Sequence, residues 1–264
     1  MELLKQLREM TGAGMVDCQK ALKEVGNDLD KAVELLRKKG IAKAAKRAGR
    51  ESNEGIVKIG TNDENTEGFI FELNSETDFV ARNEKFQAFA DQILELAKAN
   101  KPGSLEELLA LSMENGSVKE SLETLSGTIG EKMDIKNYEM ISAETVAAYS
   151  HLGGKIGVLV ALDKAGLAEV AGDVAMQIAA ANPRYLVPAD VPTEEKEKEE
   201  GIYREQLLKE GKPEAMIDNI LKGKINKYYS EVCLTEQEFI KEDGKKVKDL
   251  LGDATIIKFV RYSL

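Results

Sequence analysis

The stretch that most narrows the folds open to this chain is Glu72-Leu-Asn-Ser-Glu-Thr-Asp-Phe-Val-Ala-Arg-Asn83, together with the residues just before it. Phe69, Phe71 and Leu73 alternate with their neighbours at the period of a half-buried strand. The alternation stops at Asn74-Ser75, a turn or cap signal, and Thr77 or Asp78 can then cap a helix. Phe79 stands beside the cap, where a core residue is not expected. An acidic side chain next to an aromatic at such a turn is a compact probe for another protein. The residues alone leave a second reading open, with Asp78 as a cap and Phe79 as core.

Period and breakers divide the rest. Residues 2–10, 15–25 and 28–39 read as three helices, with Leu3, Leu4 and Leu7 on one face and Leu29, Ala32, Val33 and Leu36 on another. Thr11 to Gly14 and Gly26-Asn27-Asp28 break them, and Asn27 or Asp28 can cap the third. About 40 residues make a core that is marginal alone. Residues 40–54 read as a basic linker, partly helical. From Gly55 the period becomes that of strands, at Ile56, Val57, Ile59 and 69–73, around a polar loop from Gly60 to Gly68. Thr61-Asn-Asp-Glu-Asn65 lacks the ligand spacing and distal Glu of a calcium loop. A helix follows through Phe86, Phe89, Ile93 and Leu96, then one or two more over 104–134, broken near Asn115-Gly116.

A weak internal repeat aligns Phe89-Ala90-Asp91 through Asn100 with Ala171-Gly172-Asp173 through Asn182. Each copy lies close to a strand, the second at Ile156 to Leu162. Pro183, Pro188 and Pro192 mark a boundary, and Thr193 caps a charged helix. Gly211-Lys212-Pro213 breaks it, and a second helix to about Tyr229 carries a stripe of Ile217, Ile220, Leu221 and Ile225, an antiparallel hairpin. Thr255 to Tyr262 reads as a last strand, returning to the second sheet. The expected division is 1–40, a three-helix domain; 41–54, a basic linker; 55–140, a first core subdomain; 141–190 with 230–264, a second; and 191–229, an inserted hairpin.

Composition excludes several classes. The 264 residues contain no apolar run of about 18 residues, so no membrane partner is expected. The N-terminus lacks a secretory pattern, and the cytoplasm is the expected compartment. There Cys18 and Cys233 are expected as two free thiols. Residues 1–50 carry 12 Lys/Arg against 7 Asp/Glu, whereas the whole chain carries 37 against 47. An RNA-binding reading therefore falls only on the basic 38–50 segment, which has no interleaved aromatics. The hairpin would suit an interaction scaffold, and Cys18 or Cys233 a thiol enzyme. His151 is the one histidine, which excludes a histidine pair. Gly153-Gly154-Lys155-Ile156-Gly157 lacks the spacing of a phosphate loop and reads as a strand opening where glycines let two backbones approach. No catalytic constellation and no cofactor or metal site is legible.

Three segments together resemble the elongation factor Ts family: the 72–83 stretch, Leu7-Arg-Glu-Met-Thr-Gly-Ala-Gly-Met-Val-Asp-Cys-Gln-Lys-Ala-Leu22, and Tyr149-Ser-His-Leu-Gly-Gly-Lys-Ile-Gly-Val-Leu-Val160. The resemblance covers nearly the whole chain. It implies an α+β fold with a ubiquitin-associated-like three-helix bundle, two related subdomains with small antiparallel sheets, and a projecting helical hairpin. It implies guanine-nucleotide exchange on the GTPase elongation factor Tu, with no direct nucleic-acid partner; a second copy of the chain is a further candidate partner. Thr77, Asp78, Phe79 and Val80 are the implied partner-binding and magnesium-displacing residues. Further contacts are implied for Leu7, Arg8, Thr11, Gly12, Met15, His151, Gly153 and Gly154. Relatives carry a few residues before the first helix, so that helix is expected to fray here. They often continue into a C-terminal helix that touches the partner, whereas this chain ends at Leu264.

Overall fold

The computed structural model describes residues 2–114 and 116–264. Three helices open the chain: α1 (Glu2–Thr11), α2 (Met15–Glu24) and α3 (Leu29–Ala45). Asp28 is the cap of α3, its carboxylate accepting from the Lys31 N–H at 3.1 Å. Leu7, Cys18, Ala21 and Ala32 meet at the centre of this small bundle. α3 runs on through residues 41–45 of the expected linker, because Gly40-Ile-Ala-Lys-Ala-Ala holds only one weak helix former.

Strands β1 (Glu54–Thr61) and β2 (Glu67–Ser75) form the expected hairpin. After β2 come α4 (Asp78–Ala81), α5 (Glu84–Asn100), α6 (Leu105–Ala110), the two-residue strands β3 (Ser112–Met113) and β4 (Gly116–Ser117), and α7 (Val118–Ile129). The break expected near Asn115-Gly116 falls partly on Asn115, outside the described residues. Then β5 (Met133–Ser142), unforeseen from the sequence, pairs with β2 to complete the sheet β1-β2-β5. A bulge between Glu72 and Leu73 of the pair explains why. Met133 and Ile135 face the helices, and after the irregularity so do Tyr138 and Met140. One extra residue flips the parity, so no continuous period-two pattern survives.

A second antiparallel sheet repeats the plan, with β6 (Thr145–His151), β7 (Ile156–Leu162) and, from the far end of the chain, β8 (Ile256–Ser263) in the order β6-β7-β8. β6 is likewise unforeseen; its Ala147-Ala148 centre has little strand propensity. Helix α8 (Ala168–Ala181) covers this sheet as α5 covers the first. Both helices end on a left-handed residue, Lys101 and Asn182, each donating its N–H four residues back, and each followed by proline. The repeat is thus real, but its offset is 81 residues rather than the 82 of the sequence alignment. Shifted so, buried Ala90, Ile93, Leu94 and Ala97 fall on buried Ala171, Val174, Ala175 and Ile178.

The sheets pack face to face with a helix outside each. Phe69, Phe71 and Leu73 of β2 point to α5. Ile70 points the other way and meets Val57, Val146, Leu159, Ala161 and Val260. This contact needs glycine. A Cβ at Gly157 would lie 2.5 Å from Val57, and one at Gly68 2.7 Å from Val146. Gly154 accepts a bond from the Val57 N–H at 2.7 Å, joining the subdomains through the backbone.

The bundle docks on α7 through α3. A Cβ on Gly127 would stand 2.4 Å from the Gly40 Cα, and Arg37 reaches Glu120 at 2.7 Å. Beyond α8, α9 (Thr193–Lys209) and α10 (Glu214–Val232) form the projecting hairpin. Leu207, Ile217, Leu221 and Ile225 are buried in it. Thr193 is the first helical residue after Pro192 and makes no side-chain cap bond, so the expected cap is absent. At the hairpin base Glu195 accepts from the hydroxyls of Tyr185, at 2.7 Å, and Tyr228, and pairs with Arg184. A short helix α11 (Val247–Leu250) precedes β8. Both cysteines are buried free thiols. No helix among the described residues is long and apolar enough to cross a membrane.

Two outcomes follow from these contacts. Gly127→Ala gains helix propensity of about 1 kcal/mol but sets a methyl group against the Gly40 backbone, which cannot yield as a side chain can. Overpacking of that kind costs about 1–3 kcal/mol, so the bundle should detach, seen as faster proteolysis within residues 2–45 while 54–264 resists. At the hairpin base, the tyrosine hydroxyls and Arg184 lower the Glu195 pKa from 4.5 to about 2. A carboxylate with a lowered native pKa stabilises fully above its ordinary value and loses that contribution as pH falls through the lowered one. Thermal melts should therefore show stability falling from about pH 4.5 towards about 2, and Glu195→Gln should flatten that dependence.

Candidate protein-docking face

Beyond Ser75, the last residue of β2, the chain turns once and enters α4, a single turn of helix. Thr77 is its cap, with backbone φ −128° and a hydroxyl that accepts from the Val80 N–H at 3.5 Å. Asp78, the other candidate cap, is instead the first helical residue and pairs with Arg82 at 2.9 Å. Val80 and Ala81 are buried and form the foot of the turn. Phe79, between them and Asp78, is 82% exposed. The core reading of Phe79 is therefore wrong. α4 ends at Ala81 with Arg82 as its C-cap, and Asn83 caps α5 afresh, its side chain accepting from the Lys85 N–H at 2.9 Å. The Gln87 amide donates back to the Ala81 carbonyl at 2.5 Å.

Carboxylates hold the turn from outside. Glu131 accepts from the Thr77 N–H at 3.0 Å and from its hydroxyl at 2.7 Å. Glu76 accepts from the Lys132 N–H at 2.6 Å and from Arg50 at 3.2 Å. The Lys132 N–H, followed by Arg50, lowers the Glu76 pKa.

Two further tips stand nearby. The Thr11-Gly12 turn between α1 and α2 lies against the Lys85 side chain and Thr128. Around it Met10, Met15 and Val16 are more than half exposed, and Arg8 is exposed. The Thr11 hydroxyl donates to the Leu7 carbonyl at 2.7 Å. The third tip is the β6–β7 turn, where Leu152 (φ 51°) and Gly153 (φ 65°) take left-handed backbone and Leu152 is 68% exposed. His151 is exposed, stacked on Tyr149, whose hydroxyl lies 3.2 Å from Nδ1. A cleft of about 360 Å³ is lined by Ile56 to Ile59, Gln87, Ser150, Gly153 and Gly154.

Some expected contacts need correcting. Leu7, Val80 and Gly154 are buried, in the bundle core, the foot of α4 and the subdomain contact respectively. They shape the surface and do not form it. Met10, Val16 and Leu152 had no place among the expected contacts, although Leu152 before two glycines was a usable signal for an exposed turn. Glu131 had no local signal at all, since it acts on a residue 54 positions away.

The basic 38–50 segment is engaged by the protein itself. Lys38 pairs with Glu34, Lys39 with Glu24, Lys43 with Asp17 and Arg50 with Glu76, while Arg47 donates to the Ser126 carbonyl. Such surface pairs contribute at most about 1 kcal/mol each and partly offset the positive charge of the segment, in which Lys46 is exposed. Among the described residues no group of three or more His, Cys, Asp or Glu is placed to hold a metal ion.

A family model described as elongation factor TS matches residues 76–264. Among curated proteins, elongation factor Ts of Prosthecochloris aestuarii is 46% identical over 99% of this chain and 96% of its own length. That of Clostridium perfringens strain SM101 is 48% identical over 98% and 90%, and that of Chlorobaculum parvum 47% over 99% and 96%. With the same three segments carrying its exposed tips, this chain belongs to the elongation factor Ts family, a family of translation elongation factors.

Proposed function

We propose that the protein accelerates GDP release from elongation factor Tu by pressing the α4 tip against the partner's nucleotide site. The observation that carries this reading is Phe79, 82% exposed on a turn whose next two residues, Val80 and Ala81, are buried. A phenyl ring held in water by a braced backbone serves no purpose in its own core; it fits a pocket elsewhere. In the partner, GDP is held by a phosphate loop and by a magnesium ion that offsets the phosphate charge. Phe79 wedges between two partner helices, and Asp78 and the adjoining turn disturb the ligands of the ion. Once it leaves, phosphate repulsion drives the nucleotide out.

Factor and nucleotide then weaken each other's binding by the same ratio. A 10,000-fold weakening needs about 5.5 kcal/mol of coupling, more than a single side chain normally supplies. The other tips, with exposed Arg8 and Met15 and half-buried Thr11 and Gly12 on the bundle and exposed His151 and Gly153 on the second sheet, hold the factor in place while the turn acts. The factor makes and breaks no covalent bond, and its cytoplasmic placement follows from that of translation.

Phe79→Ala should leave thermal stability within about 0.5 kcal/mol, as surface changes do. It should slow stimulated release of a labelled GDP by about tenfold or more in stopped flow, the loss of a hot-spot side chain. Asp78→Ala should slow it less. Wild-type rates from both variants would remove the turn from the mechanism. Changing Met10 and Met15 together to Asp should raise the half-saturating factor concentration about tenfold while the maximal rate stays, because these contacts hold equally well before and after release.

A further inference from the structure

A helix of four residues cannot hold a shape by itself, because forming the first turn fixes several dihedrals for a single hydrogen bond. The α4 tip is held instead by a closed ring of contacts from three parts of the chain. From the turn between α7 and β5, Glu131 grips Thr77 with both carboxylate oxygens, one on the N–H at 3.0 Å and one on the hydroxyl at 2.7 Å. Because that hydroxyl donates its proton to Glu131, its lone pairs are turned towards the Val80 N–H. Opposite, Glu76 grips the Lys132 N–H at 2.6 Å. From the basic segment Arg50 reaches Glu76, its carbonyl accepts from Lys132 Nζ at 3.0 Å, and Arg47 donates to the Ser126 carbonyl at 3.2 Å. The Ser126 hydroxyl closes the ring on the Glu131 carbonyl at 2.6 Å.

We infer that Glu131 is a positioning residue for exchange, fixing the direction in which Phe79 points without touching the partner, and that Arg47 and Arg50 tie this clamp to the N-terminal bundle. The basic segment that suggests RNA from its composition is a strut within the protein. The inference rests on the function proposed above for Phe79, but the clamp itself can be measured on the factor alone.

The experiment has two arms. In the first, amide hydrogen exchange is followed in Glu131→Ala without partner. Amides 77–82 should exchange about tenfold faster or more, while amides 90–97 of α5 keep their protection, a local rather than global opening. In the second, the maximal rate of stimulated GDP release should fall about tenfold with half-saturation shifting less than about threefold, since an interaction needed only at the exchange step is lost. Glu131→Gln should restore most of the rate, because its oxygen accepts from the Thr77 N–H while its amide donates to the hydroxyl oxygen. The Phe79→Ala, Glu131→Ala double variant should be within about twofold of Phe79→Ala, since both act through one ring. Unchanged exchange at 77–82, or losses that multiply in the double variant, would overturn the inference. If Glu131→Ala loses protection throughout, Thr77→Val, which removes only the hydroxyl, takes its place under the same criteria. A wild-type release rate from Phe79→Ala would defeat the function proposed above and leave the exchange arm to judge the clamp.

Discussion

The geometry of this protein depends on how closely two small sheets can approach. β1 and β2 on one side and β6 and β7 on the other meet over glycine rather than side chains at Gly68, Gly154 and Gly157. The Gly154 carbonyl takes the Val57 N–H directly. The remaining inter-sheet contact is a small aliphatic layer of Val57, Ile70, Val146, Leu159 and Val260. Protein interiors of this density shift little under load. The β6–β7 turn on one subdomain and the α4 tip on the other are therefore held at a set spacing. A Cβ at any of these glycines would force the sheets apart and move one tip relative to the other.

The two subdomains share one plan, a three-stranded antiparallel sheet under one long helix with a left-handed end. They differ in what lies between the central strand and that helix. In the first the connection holds α4 and Phe79. In the second it is a short polar loop in which Asp163 accepts from the Thr255 N–H and hydroxyl at 2.6 and 2.7 Å. The first copy has built a helical turn into this connection, whereas residues 163–166 of the second are a plain exposed loop. The second subdomain gives its projecting element elsewhere, in the hairpin α9–α10 after its helix.

Much of this is legible in the sequence where a local rule operates. Alternation at Phe69, Phe71 and Leu73, the caps at Thr77 and Asp28, and the glycine and proline breaks all have causes within a few residues. What escapes depends on distant partners. β5 is hidden because its bulge reverses the parity of its apolar residues, and β6 because its alanines owe their burial to β7 and α8. The repeat is visible but one residue out of register, since small residues in both helices align almost equally well either way and only the cap geometry decides. At the candidate site the exposed ring has a local signal, a large apolar residue beside a cap. Glu131 has none, and the burial of Leu7 and Val80 follows from which face of each short helix meets its neighbours.

The outward ring of Phe79 also bears on how this protein meets another molecule. Covering a phenylalanine side chain is worth about 1.5–3 kcal/mol, and in the isolated protein that gain is left unrealised, because the backbone beneath is fixed and the ring cannot fold back. The chain thus carries a reserve of association energy that only an outside surface can release. As the supporting turn is ordered beforehand, little of its conformational freedom would remain to be lost when an outside surface covered the ring.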